Sequence, residues 1–222
     1  MSWTKKLLTA AFTVVTMSVH GTHSSWADVA AQVKPVRRPV VQTSLSRIEL
    51  LGALREGHVR VFGTVPTKNR LAMAWGQVAL ENGHGKNVYN HNLGNIAPWR
   101  ADQPRYLSAD GNYYRDFDTF VDSAAAYWST IKHCVPALVK FDSGQPIEAT
   151  RQLRACHYFD ADLAAYTRML TSLYYFAMTN VIVQDEHEQE ERDRKATEER
   201  EAAHRAATAL DTELDAGIDR EF

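Results

Sequence analysis

The chain has 222 residues, 45% of them hydrophobic and 10% aromatic. That is enough to bury a core, and it excludes global disorder and fibrous or collagen-like classes. The formal net charge of −2 is unevenly spread: residues 185–222 hold 14 acidic and 6 basic side chains, so the preceding part is mildly basic. The excess is too small for a nucleic-acid binder, and no continuous basic stripe interleaved with aromatics runs along the chain. It still suits an anionic polymer.

In chain order, Lys5 and Lys6 precede an apolar run from Leu7 to Val19, and the polar stretch that follows ends in Ser25-Trp26-Ala27. Charged start, short apolar centre and small residues at a cleavage point predict a secretory signal over 1–27. The run falls short of the roughly 20 residues that span a bilayer. No later segment is long and uncharged enough, so an exported protein, periplasmic or secreted, with no permanent membrane span is expected. In such a compartment Cys134 and Cys156, the only cysteines, are expected to form a disulfide.

Residues 28–45, with Pro35, Pro39, Arg37 and Arg38 among scattered valines, read as an extended linker. Apolar residues at Ile48, Leu50, Leu51 and Leu54 predict a short helix from Ser46 that Gly57 ends. A second helix is predicted from Thr67 or Asn69 through Leu71, Ala74, Trp75, Val78 and Ala79, stopped by Gly83 and Gly85. Residues 90–114 lack a helical period and predict a long loop with a small hairpin around Asp110-Gly111. Helical pattern returns over 119–138, 147–155 and 160–183. The core domain is therefore expected over 46–183 and to be mainly α. Over 184–222, charged residues at helical spacing, such as Glu188 with Arg192 and Glu191 with Lys195, predict a charged helical extension. It could be inert or dock a protein partner.

The chemistry concentrates on Glu81, at the end of the second helix and just before Gly83 and Gly85. A carboxylate there faces the negative end of the helix dipole, and apolar neighbours disfavour its charge. A protonated Glu is what a glycosidase uses to protonate a sugar leaving group, and the two glycines would let a bulky polymer approach the backbone. Downstream, Asn92 and Asn95 offer amides for hydroxyl and N-acetyl groups, while Trp99, Tyr106, Tyr113 and Tyr114 offer faces for pyranose rings. His84 and His91 lack accompanying carboxylates at ligand spacing, so no metal is expected. Gly-x-Ser-x-Gly and phosphate-binding glycine motifs are absent, and no cofactor is expected.

Four segments, in order, resemble the bacterial glucosaminidase domain of peptidoglycan hydrolases, the mannosyl-glycoprotein endo-β-N-acetylglucosaminidase-like family. They are Gly76-Gln77-Val78-Ala79-Leu80-Glu81-Asn82-Gly83-His84-Gly85; His91-Asn92-Leu93-Gly94-Asn95-Ile96; Tyr114-Arg115-Asp116-Phe117-Asp118-Thr119-Phe120, leading to Ser123 and Tyr127; and His157-Tyr158-Phe159-Asp160-Ala161-Asp162 with Tyr166. The resemblance covers about residues 65–175. It implies a lysozyme-like helical domain with a substrate groove, peptidoglycan glycan strands as partner, and Glu81 and Tyr158 as catalytic residues. Asn92, Asn95, Trp99, Tyr114 and Tyr166 would bind substrate. A second carboxylate, Asp102 or Asp110, would position water unless the substrate's own N-acetyl group is the nucleophile. Asn82 stands where the family has a small hydroxyl residue, Gly94-Asn95 where it has Phe-Gly, and no proline follows Asp160. The alternatives are a lytic transglycosylase and a non-catalytic wall-binding or assembly protein.

Overall fold

The computed structural model describes residues 36–100, 102–109 and 111–218, with side chains as far as 205. The expected signal segment 1–27, the first part of the linker and Asp110 lie outside these residues. The chain divides into two units, 1–181 and 182–222.

The first unit is mainly α. Helix α1 (Arg47–Phe62) opens on a capping box in which Glu49 N–H donates to Ser46 Oγ and Ser46 N–H to Glu49 Oε2, satisfying two otherwise orphaned donors. It runs past Gly57 and ends at Gly63, whose φ of 73° makes the left-handed C-cap. Gly57 does not end the helix. A Cβ there would lie 2.6 Å from Ala124 Cβ and 2.7 Å from the Ala124 backbone. The glycine is thus the contact surface on which helix α3 (Phe120–Ile131) packs against α1.

Helix α2 (Lys68–Asn82) begins at the Thr67 cap and ends at Gly83, φ 63°. Its Trp75 is fully buried and donates through Nε1 to Arg47 O, 3.2 Å. After α3 the chain breaks, and α4 (Val135–Asp142) restarts with a proline in its first turn; the single helix expected over 119–138 is therefore two. Pro136 lacks an N–H and clashes with the carbonyl four residues back, so it cannot continue α3, whereas a first turn accepts it. Helices α5 (Pro146–Ala155) and α6 (Leu163–Phe176) follow, the latter capped by Asp162 Oδ1, which accepts from Ala165 N–H at 2.8 Å. A π-helical turn, Ala177–Val181, closes the unit. Trp128 locks α3 to α1 by donating from Nε1 to Leu54 O, 2.7 Å.

Strands β1 (Arg105–Leu107) and β2 (Tyr113–Arg115) pair antiparallel around the turn at Gly111, φ 80°. From residue 36 on, the segment expected as a linker is bonded to the domain. Arg38 N–H donates to Arg105 O and Arg105 N–H to Val36 O, giving a third, parallel row beside β1. Thr43 N–H donates to Val88 O and Asn90 N–H to Val41 O. A Cβ on Gly85 would meet Leu45 O at 2.6 Å, so this glycine admits the chain's own strap and not a polymer. Gly83 serves as the helix cap.

The second unit is α7 (Ile182–Ile218). Its surface carries Glu191–Lys195 at 2.8 Å and Glu188–Arg192 at 3.8 Å, the i, i+4 pairs read from the sequence. No described helix is long and apolar enough to cross a membrane.

Candidate functional site

Glu81 lies in the last turn of α2 and is half-buried. Removal of its carboxyl from water pushes its pKa up from 4.5 to about 7, and an Asn95 hydrogen bond works weakly against this. Burial is the cause, since no neighbouring charge contributes. One turn earlier on the same face, buried Gln77 accepts the Tyr127 hydroxyl at 2.5 Å. The phenols of Tyr127, Tyr158 and Tyr166 are all pushed upward, mainly by burial and further by the nearby Glu81 charge. The result is one carboxyl beside three phenols that stay protonated throughout the physiological range.

The loop after α2 is built by amide side chains. Asn82 Nδ2 donates to Leu93 O at 3.1 Å, and its Oδ1 accepts from Gly85 N–H at 2.8 Å. Asn92 Nδ2 donates to both Ile96 O and Arg115 O, and its Oδ1 accepts from Ile96 N–H at 2.8 Å. Asn92, expected on the substrate, is thus buried and spends its amide holding the loop to β2. Asn95, in the left-handed region at φ 49°, donates from Nδ2 to Glu81 O at 3.3 Å and to Glu81 Oε2 at 3.5 Å. It touches the acid itself.

Tyr158 follows a left-handed His157, φ 56°, in a turn tied to the end of α5: Tyr158 N–H donates to Leu153 O and Arg154 Nη1 to Phe159 O. Cys134 and Cys156 are joined as a disulfide, Cα–Cα 5.8 Å, anchoring this turn to the α3–α4 junction. Phe159 stacks on Tyr166, centroids 3.9 Å apart. Trp99 is 56% exposed, with Arg115 over its ring at 5.4 Å. Tyr114 packs against Tyr106 in the hairpin, centroids 5.9 Å apart.

Asp102 is exposed and paired with Arg100 at 2.5 Å, which holds its carboxyl below the usual range. Asp110 lies outside the described residues. Asp116 is a buried carboxylate bonded at 3.3 Å to Arg38 of the strap. His84 packs edge-on to Trp75 and Phe176, and His91 Nδ1 meets Phe117 O at 2.9 Å. Among the described residues no cluster of three His, Cys, Asp or Glu could hold a metal.

The sequence reading left Gln77 and Tyr127 without roles. Gln77 was accessible from its i−4 spacing to Glu81, which shares a helix face; Tyr127 comes from α3, and only the fold brings it there.

No protein-family model matches the sequence, and no curated protein matches it. Among solved structures the chain is similar to the glycoside hydrolase domain of Salmonella typhimurium FlgJ, with 13% identity, 69% of this chain and 98% of that chain covered and a TM-score of 0.44. It is also similar to a C-terminally truncated form of that domain, with 14% identity, 60% and 97% coverage and a TM-score of 0.42.

Proposed function

We propose that the chain is an exported glycosidase acting on β-1,4 bonds of peptidoglycan glycan strands, of the endo-β-N-acetylglucosaminidase type, with Glu81 as general acid. The observation that carries this reading is the Glu81 carboxyl held near pKa 7 by burial within a shell of phenols and amides. A general acid works best when its pKa lies near the working pH. The four ordered motifs supply the substrate class.

In the reaction Glu81 gives its proton to the glycosidic oxygen. The carbon–oxygen bond breaks with its electron pair going to that oxygen, which leaves as a hydroxyl. Cationic character at the anomeric carbon is then quenched by the N-acetyl oxygen of the substrate or by water, and water finally yields a reducing end. Asn95 aims the carboxyl, and the Gln77–Tyr127–Tyr166 cluster fixes its wall. In this reading Tyr158, protonated throughout, hydrogen-bonds the carboxylate left after proton transfer.

Glu81→Gln keeps the shape but donates no proton. Turbidity clearing of purified cell walls should fall by at least about a hundredfold, the lower range of general-acid contributions; full clearing by the variant would overturn the assignment. The isolation of Glu81 favours a second reading, a lytic transglycosylase, because the one other described candidate carboxylate, Asp102, is exposed and paired with Arg100. There a hydroxyl of the cleaved sugar closes on the anomeric carbon and no water enters. Mass spectrometry of the fragments separates the two, the anhydro product being lighter by one water.

A further inference from the structure

Strand register places three arginines in one row. Arg105 is the direct cross-strand partner of Arg115, and Arg37 of the strap is the bridge partner of Arg105. Partners at one register position project to the same face. Like charges directly opposite each other are destabilising in a sheet, so the row calls for a compensating charge. Among the described residues none of the three has a carboxylate within ion-pair distance, although neighbouring Arg38 pairs with Asp116 and Asp118 and Arg100 with Asp102. The three are instead framed by rings. Arg37 and Arg105 lie over Tyr113 at 5.4 and 5.1 Å, and Arg115 lies over Phe117 at 4.5 Å and over exposed Trp99 at 5.4 Å. The Nε atoms of Arg105 and Arg115 are enclosed without a hydrogen-bond partner. Burial lowers the pKa of Arg115, offset only in part by the more distant Asp122 charge, and a bound anion would relieve the remaining cost.

We propose that the Arg37–Arg105–Arg115 row, edged by Trp99 and Tyr113, is an anion subsite that takes the carboxylates of an acidic sugar polymer. Guanidinium forks match carboxylates, and an exposed indole suits a sugar ring. This rests on the glycosidase reading. The subsite joins the acid through covalent neighbours: Arg115 N–H donates to Ile96 O, and the same loop carries Asn95 onto Glu81. No linear segment of the sequence shows the row, because its members come from three separate segments.

The test is pelleting of the full chain, carrying Glu81→Gln to prevent turnover, with insoluble peptidoglycan, with the same peptidoglycan after its carboxyls are converted to neutral amides, and with neutral chitin. Native peptidoglycan should bind at least roughly tenfold tighter than the amidated polymer, the scale of one charge-assisted bond. Adding Arg115→Gln or Arg37→Gln should remove most of that preference and leave chitin binding unchanged, and Arg115→Lys should restore part of it. Equal binding to native and amidated wall overturns the subsite while leaving the glycosidase reading intact; binding to none of the polymers overturns both. Displacement from the wall by duplex DNA at the same charge concentration and ionic strength, with no preference among the polymers, assigns the row to phosphate backbones and also overturns the proposal. Should the glutamine variants unfold, the comparison of native with amidated wall decides, since it uses the unaltered row.

Discussion

Glu81 shows how one side chain links stability to activity. Its carboxyl binds a proton more tightly folded, with a pKa of about 7, than in the unfolded chain near 4.5. Between these values the native state holds the extra proton, so stability falls as pH rises through that window and levels off above it. The shift corresponds to roughly 3 kcal/mol at most, at 1.36 kcal/mol per pKa unit. Glu81→Gln should remove the penalty: its melting temperature should exceed that of the wild type at pH 8, with the gap closing toward pH 4.5. Calorimetry across that range checks the sign. The activity of the wild type should decline above about pH 7 as the acid ionises. Asn95 lowers the Glu81 pKa by its hydrogen bond, so Asn95→Ala should move that alkaline limb upward by a few tenths of a unit to one unit. A pH–rate profile with an unmoved limb would count against the contact.

At the scale of elements, two glycines in α1 make opposite predictions. A Cβ on Gly52 meets nothing within 4 Å, whereas one on Gly57 would strike Ala124 at 2.6 Å. Gly52→Ala should stabilise by about 0.5–1 kcal/mol through helix propensity and lost unfolded-state freedom. Gly57→Ala should destabilise by about 2 kcal/mol, because forcing α1 and α3 apart outweighs the same propensity gain. Denaturant unfolding of the pair tests whether α1 packs as described. The period of apolar residues in α1 was legible in the sequence, but the role of Gly57 was not. A helix-ending glycine and a helix-contact glycine look alike until the partner surface is known. The same holds for Gly85, whose empty side is filled by Leu45 O, and for Pro136, which divides a run of helix formers because its ring cannot follow the last turn of α3.

Across the whole molecule, the Cys134–Cys156 bond closes a loop around α4 and α5 and ends two residues before Tyr158. Closing a loop of that size is worth about 3 kcal/mol in the chain-entropy model. The double Cys→Ser variant should therefore melt roughly 6–12 °C lower, at about 2–4 °C per kcal/mol for a chain of this size. It should also lose wall-clearing activity below its melting point as the turn carrying Tyr158 loosens. Equal melting of the variant and the wild type would show that the bridge stabilises nothing. Periodicity and caps already placed most of the helices, the carboxyl of residue 81 at the end of one of them and the extension of alternating charge, since these depend on neighbours within a few positions along the chain. How these groups meet around the Glu81 carboxyl was decided by tertiary structure. Tyr127 arrives from α3, Tyr158 and Tyr166 from the far side of the disulfide, and Arg37 from a strap that reads as a linker. Desolvation and cross-strand register are properties of segments brought together, and no local spacing encodes them.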